Sequence, residues 1–386
     1  MGTRTITSSL DFSYDSNYLE LEEKLNTINQ EILGLSKKKD QIRTFRITLI
    51  FKEQITYLSS YKLIAIVETI ARIAKSKNFR WVCLPLNLKQ FNCLDSVREI
   101  IPNILARVPN LFIHLINEDH NNFEFNKICA STILKVSSLS SNGFDNFRLG
   151  ISNGFINQCP FFPFSYFSEP FSYSIGLEPI SILEGILIKN NYLEPSEALE
   201  LFSKSLNKKI IQVHNDYGNS SILNFVGIDS SLAPVPRTRI SVGLIYELLG
   251  VSIVGHPGTL GLTSKLTQTI KSSFANTLAN PVGFNGVMFS PLEDDWLAKQ
   301  SKFYNSSINS FLLLSTVCGC GLDMLPIQGE TFIDSIAATI YDTLSLSERL
   351  KKPLGIRLLP IPGKTSSELT NFNHDFFSDM KILELN

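Results

Sequence analysis

The sequence is short of the features that most readily announce a function. Charged residues make up 18% of it, and 35 basic residues are offset by 36 acidic ones, for a formal net charge of -1. That balance supplies no basic field of the kind nucleic acid or an anionic membrane selects, so neither partner is expected. No apolar run approaches the roughly 18 residues of a spanning helix. Residues 1–11 lack a basic segment, an apolar run and a small-residue cleavage site in that order, which sets the expectation of a cytoplasmic protein. Cysteine is sparse for the length. Cys83, Cys93, Cys129, Cys159, Cys318 and Cys320 are scattered rather than dense, which fits reduced thiols in that compartment. The sequons at Asn219 and Asn305 then carry no weight.

What is present in quantity is apolar surface. Hydrophobic residues reach 44%, which excludes disorder and allows a large core. A chain of 386 residues has the length of two average domains, but no linker-like composition break, coiled coil or long repeat divides it. A single α/β domain over 1–386 is expected. The echo between Arg4-Thr5 and Arg43-Thr44 is too short to count as a repeat.

Extended and helical runs alternate from the start. Arg4-Thr5-Ile6-Thr7 reads as a strand, and Leu21, Leu25, Ile28, Ile32 and Leu35 form one helical face. Asp15 or Ser16 is placed to cap that helix, and Lys37-Lys38-Lys39 suits its carboxyl end, where the helix dipole favours cations. Strand-like 42–50, 80–86 and 111–116 then alternate with helical 58–75, 94–106 and 125–139, which argues for parallel strands with crossover helices. A strand at 147–151 opens into 152–170. That segment is crowded with Pro160, Pro163, Pro170 and aromatic rings, and it reads as a structured loop, packed on the barrel or serving as lid or subunit contact. Further on, the pattern predicts helices over 195–206, 239–249, 260–278 and 332–350, strands over 210–214 and 222–228, and a last buried strand over 354–361.

From Asn153 onward a set of short motifs comes in a recognisable order. They are Pro160-Phe161-Phe162-Pro163, Gly176-Leu177-Glu178, Gly227 to Pro234, Pro257-Gly258-Thr259-Leu260, Gly283-Phe284-Asn285-Gly286, Leu292-Glu293-Asp294, Cys318 to Asp323, and Pro360 to Lys364. Together with the Arg4-Thr5-Ile6-Thr7 start, the set resembles the domain-of-unknown-function family number seven-one-one, also labelled pyruvate-formate-lyase-like. The resemblance implies a closed α/β barrel of about ten strands, of the glycyl-radical-enzyme type, with outer helices and a loop inserted into its interior. It implies no activity. It also implies a histidine soon after Phe-Phe-Pro, where this chain reads Phe164-Ser165-Tyr166-Phe167, and threonines where it has Cys320 and Met324.

Three chemistries fit the motifs. A thiol at Cys318 or Cys320, flanked by Gly319 and Gly321, would approach a substrate closely and ionise against local amides, the bland alternative being a small buried residue at a helix end. No Arg-Val-x-Gly-Tyr string is present to hold a glycyl radical, and a lone CxC pair is poor zinc evidence. Second, Glu178, Asp229, Glu293, Asp294 and Asp323 each follow a run that should end at a strand or motif loop. Such carboxylates hold a divalent metal or divide into general acid and general base, with Asp229, Glu293 and Asp294 as the metal set. Helix capping is the alternative for Asp229 and Asp294. Third, His256, Gly258 and Thr259 open a predicted helix whose free amides would face an anion, helped by Arg237, Arg239, Arg357 and Lys364, against a plain turn or an internal ion pair of Arg357. The expectation is an enzyme acting on a small polar or anionic molecule inside the barrel. Cys318, Asp323, Glu293 and Asp229 are its catalytic candidates, and His256, Gly258, Thr259, Arg357, Lys364 and Glu178 bind the substrate. The alternative is a non-catalytic protein that binds a ligand or metal, or self-associates as a homo-oligomer.

Overall fold

The computed structural model describes residues 2–36, 42–190, 193–302 and 307–385. The Lys37-Lys38-Lys39 run and Asn305 lie outside them. Among the described residues there are nine strands: β1 (Thr3–Asp11), β2 (Ile42–Ile50), β3 (Phe79–Asn87), β4 (Leu111–Ile116), β5 (Leu149–Ser152), β6 (Ser172–Leu177), β7 (Asn224–Asp229), β8 (Gly321–Gln328) and β9 (Gly355–Ile361). Six α-helices lie in the first part of the chain: α1 (Tyr18–Ser36), α2 (Tyr57–Ser76), α3 (Val97–Arg107), α4 (Phe123–Ser137), α5 (Ile180–Lys189) and α6 (Pro195–Tyr217). They are followed by α7 (Val242–Leu248), α8 (Thr259–Ser272), α9 (Asp295–Gln300), α10 (Ile308–Ser315) and α11 (Ile333–Leu350). No helix is long and apolar enough to cross a membrane.

The strands form one sheet in the order β7-β6-β1-β2-β3-β4-β5-β9-β8. Strands β1 to β5 run parallel, as the alternation predicts, and so do the pairs β6-β7 and β8-β9. The two antiparallel joins, β1-β6 and β5-β9, set the second half of the chain head to tail against the first. The fold is thus mixed α/β, with the nine strands in one sheet whose hydrogen-bonded ladder does not close among the described residues. Between its edges runs segment 280–288. It meets β7 and the residues after it in isolated bridges at Ile228–Pro281 and Leu232–Val287, and Gly319 N, just before β8, donates to Val287 O at 2.6 Å.

Strand periodicity sorts the first half cleanly. Ile47, Leu49, Val82, Leu84, Leu86, Ile113 and Leu115 are buried apolar residues on one face, and they alternate with Arg46, Thr48, Trp81, Cys83, Phe112 and His114 on the other. The loop 153–171 lies against that second face. Thr7 Oγ1 donates to Pro160 O at 2.8 Å, Cys83 Sγ to Pro163 O at 3.2 Å, and Thr48 Oγ1 and Ser165 Oγ share a hydrogen bond of 2.7 Å. Phe161, Phe162, Phe164 and Phe167 are buried, whereas Phe155 is exposed. Phe164 sits where β5 meets β9, in space cleared by two glycines. A Cβ on Gly150 would come 2.6 Å from its ring, and one on Gly355 closer still. Gly355→Val should therefore cost about 1–3 kcal/mol in overpacking, read from the urea midpoint. Adding Phe164→Leu should recover most of that loss, and no recovery would mean that the glycine serves the backbone instead.

His114 lies under the same loop, with Nε2 2.8 Å from Ser152 Oγ and Nδ1 3.3 Å from Ser165 O. Burial holds its pKa down to about 4, against a weaker upward pull from Ser165 O. An unfolded histidine takes up a proton near 6.5, which the folded one refuses, so this stability is complete above 6.5 and lost as pH falls towards 4. The difference corresponds to roughly 3 kcal/mol. In a series of denaturation midpoints against pH, His114→Gln should flatten that limb. An unchanged slope would place the proton elsewhere.

The predicted elements that differ do so for local reasons. Residues 210–214 are not a strand but the last part of α6, because Phe202, Leu206, Ile210, Val213 and Tyr217 keep a helical spacing and are all buried. The α1 helix is capped by Asn17, whose Oδ1 accepts from Leu19 N at 2.9 Å, while Asp15 pairs with Lys62.

Candidate functional site: an arginine-rich cavity

Strands of both halves of the chain meet around one cavity, which takes lining residues from near the amino ends of β1, β3, β4, β8 and β9. Arg4 reaches it from β1, Arg46 from β2, Asp323 from β8 and Arg357 from β9, with Ser290 and Glu293 just beyond segment 280–288. Its remaining walls are mostly aromatic, with Trp81 and Phe112 from β3 and β4, and Phe161, Phe162 and Phe164 from the inserted loop. The space open to the centres of water-sized molecules is about 70 Å³. At 10–15 Å³ for each water, that holds about five of them, which suits a ligand of few heavy atoms.

The two carboxylates are bound into a buried ion-pair network. Arg357 Nε donates to Asp323 Oδ1 at 2.7 Å, and its Nη2 donates to Asp323 Oδ2 at 2.9 Å and to Glu293 Oε2 at 3.2 Å. Ser290 Oγ also donates to Asp323 Oδ2. Burial pulls the Arg357 pKa down, but Asp323 and Glu293 outweigh it and hold the pKa above its ordinary value. Asp323 is thus spent on both oxygens. Glu293 uses Oε2 and carries no hydrogen bond on Oε1 among the described residues.

The other two guanidinium groups are differently placed. Arg4 gives Nη1 to Ala233 O at 2.9 Å and Pro234 O at 2.8 Å, and stands 5.7 Å from the centre of the Phe161 ring. Arg46 donates only Nε, to Thr44 Oγ1 at 3.3 Å, and faces the Phe162 ring at 5.2 Å. It forms no ion pair among the described residues. Burial lowers both arginines, Arg46 to about 9, which still leaves it charged at neutral pH. Three guanidinium groups against two carboxylates leave the cavity with one net positive charge.

Of the residues singled out in the sequence, Asp323, Glu293 and Arg357 come together here. The others stand apart. Asp229 ends β7 and fastens 283–286, accepting from Ser231 N at 2.9 Å, Ser231 Oγ at 2.6 Å and Phe284 N at 2.8 Å. Asp294 caps two helices, taking Trp296 N of α9 at 3.0 Å and Val242 N of α7 at 2.7 Å. Burial raises both of these carboxyls despite those bonds. Glu178 holds Arg43 through both oxygens, at 2.8 and 3.0 Å. No group of three His, Cys, Asp or Glu side chains among the described residues is placed to hold a metal ion, and Asp229, Glu293 and Asp294 are divided among these separate tasks. Gly258 opens α8 with a positive φ, and Thr259 Oγ1 accepts from Gly255 N at 3.0 Å. Neither Gly258 nor Thr259 lines the cavity, nor does His256, and the cations offered to that turn go elsewhere. Arg239 pairs with Glu184, Lys364 with Glu368, and Arg357 with the cavity carboxylates. Cys318 has no exposed surface and is not part of the lining.

Arg4 and Arg46 line the cavity although neither stood among the candidate site residues, Arg4 entering only as part of the Arg4-Thr5-Ile6-Thr7 start. Arg46 lies in a strand that also carries Arg43, Thr44 and Thr48, so it lacks the contrast with its flanks that marks Arg357.

A family model described as Uncharacterised ACR (DUF711) matches residues 4–373. A UPF0210 protein of Pyrobaculum aerophilum is 34% identical over 139 residues, covering 36% of this chain and 31% of that protein. A UPF0210 protein of Carboxydothermus hydrogenoformans is 32% identical over 145 residues, covering 38% and 32% respectively. The chain thus aligns with about a third of the length of these relatives.

Proposed function

We propose, from the premise that this chain belongs to the uncharacterised DUF711 family, that the arginine-rich cavity binds a small carboxylate anion and that Glu293 exchanges a proton with it. The observation that carries the reading is Arg46, a cation without an ion-pair partner among the described residues, on the wall of a cavity with one net positive charge. A guanidinium fork matches a carboxylate in two parallel hydrogen bonds, and aromatic walls suit a short apolar body beside it. Arg4 adds a second cation. Glu293 Oε1 is the acceptor left over for the ligand, and Arg357 fixes the direction in which it points. Proton transfer at such a carboxylate is general acid or base chemistry. A protein that binds the anion without transforming it is the second reading, favoured by the complete engagement of Asp323.

The sheet around this cavity is read as a barrel of the glycyl-radical-enzyme type, within one domain over 1–386. Its support is segment 280–288 between β7 and β8, and a loop that touches strands of both halves.

The test is calorimetric titration with acetate, lactate, pyruvate and inorganic phosphate, followed by proton NMR of bound pyruvate in heavy water. Short carboxylates should bind ahead of phosphate. Glu293→Gln should keep that binding but stop any entry of deuterium at the pyruvate methyl. Absence of binding by every carboxylate at millimolar concentration would defeat the reading, and binding without deuterium entry in the unaltered protein would select the non-catalytic one.

A further inference from the structure

A second cavity opens where neighbouring parallel strands finish. It takes Ile50 from the end of β2, Asn87 from the end of β3 and Ile116 from the end of β4, with Gly154 two residues beyond β5. Crevices at such carboxyl ends are where open α/β sheets gather ligands. The cavity shares no lining residue with the arginine-rich one and so stands apart from the function proposed there. On the same measure its volume is about 260 Å³ against about 70 Å³. That is room for about twenty waters, and hence for a ligand of about a dozen heavy atoms with water around it.

The walls are tied to each other. Gln90 Nε2 donates to Phe51 O at 2.8 Å and to Glu53 O at 3.3 Å, its Oε1 accepts from Asn87 N at 2.8 Å, and Ile55 N donates to Gln90 O at 2.6 Å. The segments that follow β2 and β3 are thereby held together, which preorganises the space between them. The lining then divides by polarity. Leu49, Phe51, Ile116 and Phe167 are buried, whereas Lys52 and Glu118 are exposed, which puts apolar surface within and one charge of each sign at the mouth. Lys52 makes no ion pair or hydrogen bond among the described residues. Glu118 gives Oε2 to Lys89 Nζ at 3.0 Å, which sets the direction of the carboxylate. Its Oε1 is turned to the cavity wall, since a Cβ on Gly154 would meet it at 3.8 Å.

We propose that this second cavity binds a free α-amino acid with an apolar side chain. Lys52 takes the carboxylate, Glu118 Oε1 takes the ammonium, and the side chain enters among Phe51, Ile116 and Phe167. A ligand with one charge would leave either Lys52 or Glu118 unanswered, and a zwitterion answers both. A sugar phosphate would set hydroxyls against the buried apolar side chains and its charge beside Glu118, each at a cost. The Tyr166 hydroxyl, also without a protein hydrogen bond among the described residues, is a further donor in the lining. Because both charges at the mouth are exposed, each contributes modestly and is screened by salt, and affinity rests chiefly on the buried side chain.

The experiment titrates the full chain calorimetrically with L-phenylalanine and L-leucine, and with three ligands that each lack one part. These are 3-phenylpropionate without the ammonium, 2-phenylethylamine without the carboxylate, and glycine without the side chain. The two apolar amino acids should bind with a Kd of about 1 mM or below, the two singly charged ligands about fivefold more weakly, and glycine not measurably. Lys52→Met should weaken L-phenylalanine about fivefold and leave 2-phenylethylamine as it was, and Glu118→Gln should weaken L-phenylalanine equally without weakening 3-phenylpropionate. Both side chains are exposed, so neither change threatens the fold. Arg46→Met should alter none of these affinities. Absence of binding by both apolar amino acids at millimolar concentration, or 3-phenylpropionate binding as tightly as L-phenylalanine, would overturn the proposal. So would a loss of L-phenylalanine binding in Arg46→Met but not in Lys52→Met, which would move the ligand to the arginine cavity.

Discussion

Arg46→Met is expected to raise the unfolding midpoint of the ligand-free protein while weakening binding of a short carboxylate by tenfold or more. The two effects have one cause. Arg46 carries a charge that burial disfavours, with a single long hydrogen bond and no ion pair among the described residues to offset it. Methionine fills similar space against Phe162 without that electrostatic cost, and replacing buried ionic groups by apolar ones of like volume is neutral or stabilising by about 1–4 kcal/mol. The same change removes hydrogen bonds to a charged ligand, each contributing about 1.5–3 kcal/mol, which corresponds to roughly a tenfold to hundredfold loss of affinity. Urea denaturation and calorimetric titration with the same carboxylate read the two halves separately. A variant that binds as before, or that is destabilised by several kcal/mol, would assign Arg46 to the architecture rather than to a ligand.

Asp323→Ala should act in the opposite sense and cost about 3–5 kcal/mol of stability. Here the guanidinium is held by two carboxylates, and removing Asp323 takes away both of its shorter bonds. Arg357 would keep only its 3.2 Å contact with Glu293 in place of two shorter bonds to Asp323, in a setting where its own side chain is 3% exposed. Breaking a buried ion pair by removing one partner is among the largest penalties a single substitution creates. The double variant Asp323→Leu with Arg357→Met removes both charges and should recover more than half of the loss. The three unfolding free energies form a double-mutant cycle, whose coupling should come to several kcal/mol. Simple additivity would mean that the pair is not coupled.

The contrast between these two arginines also shows what the sequence made legible. Arg357 stands out in an apolar stretch between two leucine-rich flanks, and its internal ion pair with Asp323 is one of the alternatives the sequence leaves open. Arg46 sits in Ile42–Ile50 between threonines that also face inward, so its strand reads as an ordinary alternating one. The short echo of Arg4-Thr5 in Arg43-Thr44 has a structural source, since Thr5 and Thr44 are register partners on adjacent parallel strands.

The first half of the fold was readable because each of β1 to β4 is followed by a periodic helix. The second half was less so. Strand β6 lies at the end of a stretch of prolines and aromatics, β8 starts inside a glycine-cysteine turn and carries Met324 at a positive φ, and neither shows an uninterrupted apolar run. The carboxylate motifs were visible as residues but not as tasks. Capping, loop fastening and ion pairing use the same oxygen atoms, and only their neighbours in space tell Asp294 and Asp229 from Glu293.

The strand order has a further consequence for the nascent chain. The strands β8 and β9 follow the other seven in the chain, yet β9 closes against β5 and supplies both Gly355 beside Phe164 and the arginine that pairs with Asp323. While a ribosome is still synthesising the segment before them, the loop 153–171 lies on the first five strands without the β9 backbone that packs against Phe164. An arrested or truncated product ending before residue 355 therefore displays an aromatic surface of the kind chaperones retain and proteases clear. Whether a shortened product keeps that surface covered is accordingly decided by residues 321–361.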